Sequence, residues 1–156
     1  MFDFYSDTKT KPTKEMLQAA IGCEVGDEQQ HEDPTTLELC RRVAVLLGKE
    51  AAIFLPSGTM CNVIAVRVHT NPGDEIVCEK SCHIMNSEVG GAAAINGVMM
   101  QPILGKNGVF EDFQVKEVLR SESRHAPKST LVCVEQTANM GGGAIWPVKK
   151  LDEVAL

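Results

Sequence analysis

No stretch of this 156-residue chain approaches the roughly 18 consecutive apolar residues that a membrane-spanning helix needs. The opening MFDFYSDTKTKPTKE also lacks the apolar core of a secretory leader. Together these absences predict a cytoplasmic protein. Basic residues are outnumbered, 15 Lys and Arg against 21 Asp and Glu for a net charge of -6, and they are scattered rather than striped. That pattern offers no electrostatic footprint for nucleic acid or an anionic membrane, so a bound phosphate would need a local site. The dinucleotide GxGxxG and the P-loop ending GK[ST] are both missing, as are internal repeats and low-complexity linkers. What remains is 44% hydrophobic and 23% charged, ordinary for one globular domain with a sizeable core.

The six cysteines, Cys23, Cys40, Cys61, Cys78, Cys82 and Cys133, form no regular loop framework. They fall mostly in apolar runs, which predicts buried free thiols in a reducing compartment. Cys78, Cys82 and His83 lack the second ligand pair of a tetrahedral zinc site, so no metal is expected.

Local signals give a regular alternation. Asp33 can cap a helix with Pro34 in its first turn and Gly48 as its stop, and Leu37, Cys40, Ala44 and Leu47 supply an inward face. The apolar run from Ala51 to Leu55 reads as a strand buried on both faces, followed by a Ser57-Gly58-Thr59 turn into another apolar helix. Strands are then expected at Glu75 to Cys78, Val98 to Leu104 and Leu131 to Glu135, with helices near His83 to Val89 and from Glu111 to Arg120. Asn71-Pro72-Gly73-Asp74 and Lys106-Asn107-Gly108 make turns between them. Such alternation predicts an α/β fold with a mainly parallel sheet, right-handed crossovers and ligands at the carboxyl ends of the strands. The final Pro147 to Leu156 starts a helix without a glycine stop, so the chain reads as interrupted. The alternative is a short terminal helix that docks on the domain and frays.

Ser57-Gly58-Thr59 would aim backbone N–H groups, hydroxyls and a positive helix end at one anion, which suits a phosphate; a plain capped glycine turn is the alternative. His83 and His125 each adjoin a predicted strand, where an imidazole can stack on a flat ligand or move a proton, although each alone could be structural. Glu88 reads either as a buried carboxylate partner or as part of a solvated helix face. His31-Glu32-Asp33 reads mainly as a helix entrance.

With these pieces placed, FYSDTKTKPT, VGDEQQHEDPTT, LLGKEAAIFLPSGTMCN, HIMNSEVGGAAAINGV and LVCVEQTAN resemble, in order and spacing, the low-specificity threonine aldolases. These belong to the β-eliminating lyases within the aspartate-aminotransferase fold of pyridoxal-phosphate enzymes. The resemblance implies a three-layer α/β fold with a mainly parallel sheet, of which residues 1–156 would be the N-terminal half of the large domain and residues 1–33 an arm and helix. It assigns Ser6 to the substrate carboxylate, Ser57, Gly58 and Thr59 to the phosphate of pyridoxal 5'-phosphate, and His83 to the cofactor ring. It also places His125 near the substrate β-hydroxyl and Glu88 in the same pocket. The implied reaction cleaves L-threonine or L-allo-threonine to glycine and an aldehyde, in a homo-oligomer, dimer or tetramer, of threonine catabolism.

The aspartate facing the pyridine nitrogen, its neighbouring arginine and the Schiff-base lysine come later in the family than Leu156. The lysines here, at positions 9, 11, 14, 49, 80, 106, 116, 128, 149 and 150, include none in the family's lysine motif, so no Schiff-base residue is assigned and the chain alone is expected to be inactive. Gln30 stands where the family usually has tyrosine, and His31 where it usually has glycine, which puts substrate preference in doubt. Two other readings stay open: another lyase of this fold performing β-elimination, and a non-catalytic remnant that binds a phosphate-bearing ligand.

Overall fold

A computed structural model of the chain describes residues 6–155; residues 1–5, which include the start of the FYSDTKTKPT motif, and Leu156 lie outside them. The chain forms two compact units, Met1–Phe54 and Leu55–Leu156.

The first unit holds α1 (Lys14–Gly22) and α2 (Pro34–Leu47). The expected signals at α2 are used as read. Asp33 accepts the Thr36 N–H at 2.7 Å, Pro34 fills the first turn, and Gly48 ends the helix at φ 60°, where a side chain would be strained. The second Asp33 oxygen takes the Gly26 N–H at 3.0 Å, and these two backbone donors, Thr36 first, hold its carboxyl below the usual range. A Cβ on Gly26 would stand 2.2 Å from the Glu32 carbonyl oxygen, so the loop closes only around glycine. The expected inward face is corrected: Ala44 is buried, but Leu37 and Leu47 are exposed, because among the described residues this unit offers no sheet for the stripe to pack on. The expected strand from Ala51 to Leu55 does not form either. Ile53 and Phe54 are exposed, and among the described residues no strand runs alongside to pair with that backbone.

The second unit contains α3 (Gly58–His69), β1 (Glu75–Glu79), α4 (His83–Asn86), α5 (Gly91–Asn96), β2 (Met99–Ile103), α6 (Asp112–Val118), β3 (Ser129–Cys133) and α7 (Val148–Val154). The three strands are parallel in the order β2-β1-β3. All five residues of the central β1 are buried, as a strand covered on both faces requires.

The alternating side chains of the sheet build two separate cores. Ile76 faces Val66 of α3 and Ala92 of α5, with Val98, Met100, Leu131 and Cys133 around them. Val77 faces the opposite layer, where Ile103, Phe110, Val115 of α6, Trp146 and Val154 of α7 pack. Phe110 and Trp146 meet edge to face, their ring centroids 4.7 Å apart. Two helical layers thus sandwich one parallel sheet, the three-layer α/β arrangement read from the sequence.

The turns follow the local chemistry. Asn107 and Gly108 have φ of 54° and 80°, closing the Lys106 to Val109 bridge, and α6 begins with a capping box between Glu111 and Gln114. The expected segment from His83 to Val89 is shorter than read, because Val89 and Gly90 turn left-handed at φ 55° and 69° before α5 starts. The cysteine expectation also needs correction: Cys78 and Cys82 are buried, Cys23, Cys40 and Cys133 are partly exposed, and Cys61 is exposed on α3.

Candidate functional site

A parallel sheet places its ligand beyond the carboxyl ends of its strands. Here β1 ends at Glu79 and runs through Lys80 to Cys82 into α4, so His83 stands at that edge. Glu135, two residues past β3, accepts the His83 backbone N–H through one carboxylate oxygen and the Asn139 N–H through the other, each at 3.3 Å. The start of α4 is thereby tied to the neighbouring strand.

The ring of His83 is held by a different carboxylate. Its Nδ1 lies 2.8 Å from Oε1 of Glu88, and the Asn62 side-chain amide donates to the same oxygen at 2.6 Å. The Glu88 side chain is 3% exposed and that of His83 44%, so a buried acceptor fixes a ring whose other edge meets solvent. With Glu88 ionised, the proton sits on Nδ1 and the free lone pair on Nε2 points outward. Glu88 reaches this position because Val89 and Gly90 reverse the chain immediately after it. A β-branched residue in that conformation is strained, and Val89 is fully exposed with no packing in return.

Helix α3 brings the second half of the site. The Ser57 hydroxyl accepts the Met60 N–H at 3.2 Å, capping the helix. Among the described residues the N–H groups of Gly58 and Thr59 have no acceptor, and a Cβ built on Gly58 would meet nothing. Two donors without an acceptor among the described residues, the helix dipole and the room beside Gly58 suit an anion such as a phosphate. The helix is seated by close contacts with α5. A Cβ on Gly91 would come within 3.1 Å of Val63 Cγ2, and Asn96 donates to the Val63 carbonyl at 3.0 Å.

The structure therefore joins Glu88 to His83, and through Asn62 to the helix that begins at Ser57, Gly58 and Thr59. It does not bring His125 to them. His125 is exposed in the loop before β3, and that loop starts beside Arg120, which pairs with Glu75 at the first residue of β1. His125 thus lies at the opposite edge of the sheet, about 13 Å of strand away from its carboxyl ends at roughly 3.3 Å per residue. A histidine just before a parallel strand and one just after another face opposite edges. Ser6 belongs to the other unit, where its hydroxyl oxygen accepts from the Thr8 backbone N–H at 3.3 Å and from the Thr8 hydroxyl at 2.9 Å. Asn62 and Glu135 were not singled out in the sequence. Asn62 could have been, since it follows Gly58 by four residues and so shares its helix face.

Beneath this edge lie three thiols. A hydrogen bond with Cys82 and then burial push the Cys78 thiol up, the same contact draws Cys82 down, and burial pushes Cys133 up to about 11. Among the described residues no group of three or more histidine, cysteine and acidic side chains is arranged to hold a metal ion.

One parallel sheet between two helical layers, with polar groups gathered beyond the strand ends, defines the class: an α/β protein with a ligand-site layout at the carboxyl edge of its sheet. The chain belongs to the beta-eliminating lyase family, which it matches over residues 3–156. It is 36% identical over 154 residues to the low specificity L-threonine aldolase of Escherichia coli K12, covering 98% of this chain and 45% of that protein. To the low specificity L-threonine aldolase of Saccharomyces cerevisiae it is 35% identical over 153 residues, covering 96% of this chain and 39% of that protein. Its fold is similar to that of the Leishmania major threonine aldolase, with a TM-score of 0.75 at 20% identity over 90% of this chain and 40% of that one. The chain spans less than half the length of each of these relatives.

Proposed function

We propose that the full-length protein is a pyridoxal-phosphate-dependent aldolase that cleaves L-threonine or L-allo-threonine to glycine and acetaldehyde, and that this chain carries its phosphate-anchoring and ring-holding parts. The observation that carries this reading is the hydrogen-bonded line from α3 through Asn62 and Glu88 to His83, which ties an imidazole to a helix whose first two N–H groups have no acceptor among the described residues. The relatives named above, all threonine aldolases, support it.

The residues present fit the cofactor. Gly58 and Thr59 would hold its phosphate through their N–H groups, with Ser57 keeping the helix end in shape, and His83 would lie against its ring. When bound, pyridoxal phosphate supplies the ring that draws off the electron pair released as the Cα–Cβ bond breaks. Glu88 keeps the His83 ring in one orientation and its proton on Nδ1. Ser6 is read as a donor to the substrate carboxylate, and His125 as the group that takes the β-hydroxyl proton directly or through water. Because His125 lies at the far edge of its own sheet, we read its action as coming from a second copy of the chain, in keeping with a homo-oligomeric, tetrameric enzyme. We further propose a cytoplasmic location.

The test is to add pyridoxal phosphate to the full-length protein and follow visible absorbance of the bound cofactor together with glycine and acetaldehyde release from threonine. A visible band with both products is expected. The family's description favours one second reading, β-elimination, and a band with elimination products but no acetaldehyde would establish it in place of the aldolase.

A further inference from the structure

Asn62 is a polar side chain at this edge to which the proposed reaction gives no task. Among the described residues the Glu88 carboxylate has two partners, Asn62 at 2.6 Å and His83 at 2.8 Å, both on Oε1. Its backbone is held by the Gly91 N–H on the Glu88 carbonyl at 2.9 Å, but Val89 beside it packs on nothing, so the carboxylate itself is held through these two partners. Without the amide, a buried carboxylate would keep one donor, on a ring nearly half exposed. A buried acceptor with so few donors moves towards water when it can, and the ring would lose its fixed partner.

Asn62 is well placed to prevent this because its own backbone is locked. The next residue, Val63, is bound through its carbonyl to Asn96 and sits against Gly91, only three residues beyond Glu88. The amide and the carboxylate are therefore set by the same α3 to α5 contact. Asn62 also lies one helical turn beyond Gly58 on the same face, so an anion that orders the first turn of α3 stiffens the donor that holds Glu88.

We propose that Asn62 is a positioning residue: it fixes Glu88 so that His83 keeps its Nδ1–H tautomer and ring orientation, coupling the ring to the anion-binding end of α3. This deepens the proposed function and rests on it only for the task given to His83.

The experiment uses the full-length protein with 15N-labelled histidine, the His83 ring signals being assigned with a His83→Gln variant, and needs no cofactor. In the wild type the Nδ1 signal is expected to be that of a protonated nitrogen and Nε2 that of an unprotonated one. Asn62→Ala should move His83 towards the Nε2–H form that an unconstrained imidazole favours, and Asn62→Leu, which fills the space without a donor, should do the same. Val66→Ala, a core change on the same helix, should lower stability and leave the ring signals alone. In the cofactor-loaded protein, Asn62→Ala should reduce kcat for threonine on the order of tenfold with little change in KM, the scale seen when a histidine loses an orienting partner. His83 signals unchanged in both Asn62 variants, or shifted equally by Val66→Ala, would overturn the proposal. Failure of the full-length protein to take up pyridoxal phosphate would overturn the proposed function while a tautomer shift still upheld the coupling.

Discussion

The two edges of the sheet each hold a buried carboxylate, and they hold it differently. At the amino edge Glu75 is 1% exposed and is met by the Arg120 guanidinium and the Ser129 hydroxyl, both at 2.9 Å. At the carboxyl edge Glu88 is 5% exposed and is met by a neutral amide and an imidazole. At the amino edge the partner of Glu75 is a guanidinium, which keeps its charge at neutral pH. An imidazole changes charge near neutral pH and presents a second nitrogen to solvent. The first arrangement fastens a strand end to the loop that feeds its neighbour, whereas the second holds an imidazole in one orientation.

The largest effect should come from breaking the amino-edge pair. Arg120→Met leaves the Glu75 carboxylate buried with one hydroxyl, and should cost about 2–3 kcal/mol in urea unfolding, below the full figure for a buried pair because the arginine is itself partly exposed. In the full-length protein, the proposed threonine cleavage by the molecules that remain folded should change little. If cleavage fell in step with a carboxyl-edge variant, the two edges would not be functionally distinct. Glu88→Gln is the complementary change. It keeps an acceptor oxygen of the same shape, so stability should stay within about 1 kcal/mol, while cleavage should fall roughly 100-fold.

The thiols sharpen the contrast further. The Cys133 thiol is raised from an ordinary 9.0 to about 11, chiefly by burial. The fold therefore favours its protonated form. That contribution is complete below pH 9 and is lost as pH rises towards 11, amounting to about 2 kcal/mol over the window. Cys133→Val should flatten the alkaline limb of a stability profile measured by denaturant titration; an unchanged limb would assign it to other groups. The smallest effect concerns the turn after Glu88. Val89→Gly removes left-handed strain and should raise the thermal midpoint, by about 1 kcal/mol of stability after the extra freedom glycine gives the unfolded chain is allowed for. A lower midpoint would mean that the strained turn is not a source of instability.

What the sequence disclosed about this site was what local grammar controls. Ser57 as a cap, Gly58 as an open first residue and Asp33 with Pro34 and Gly48 around α2 each depend on neighbours within a few positions, and each formed as read. The three strands were legible because each is a short apolar run bounded by turn residues. The Ala51 to Leu55 run carried the same signal and formed no strand, since a strand also needs a partner and composition cannot supply one. The Glu88 to His83 contact spans five positions and depends on two left-handed residues, one of them a valine that no propensity would put there. Asn62 meets Glu88 across 26 positions, a pairing that only the packing of α3 on α5 decides. His125 was read beside a strand correctly, but which edge it faced followed from strand direction.

Among the described residues the order β2-β1-β3 puts the earliest of the three strands in the middle, and this has a consequence for synthesis. When β1 leaves the ribosome, its first neighbour begins about 20 residues later and its second about 50 residues later. At roughly 5–20 residues per second this amounts to several seconds. For the first part of that interval Ile76, Val77 and Cys78 have no neighbouring strand to join, and for the rest they have one side only. The segment best protected in the finished molecule is therefore left uncovered on at least one side until its last neighbour is made.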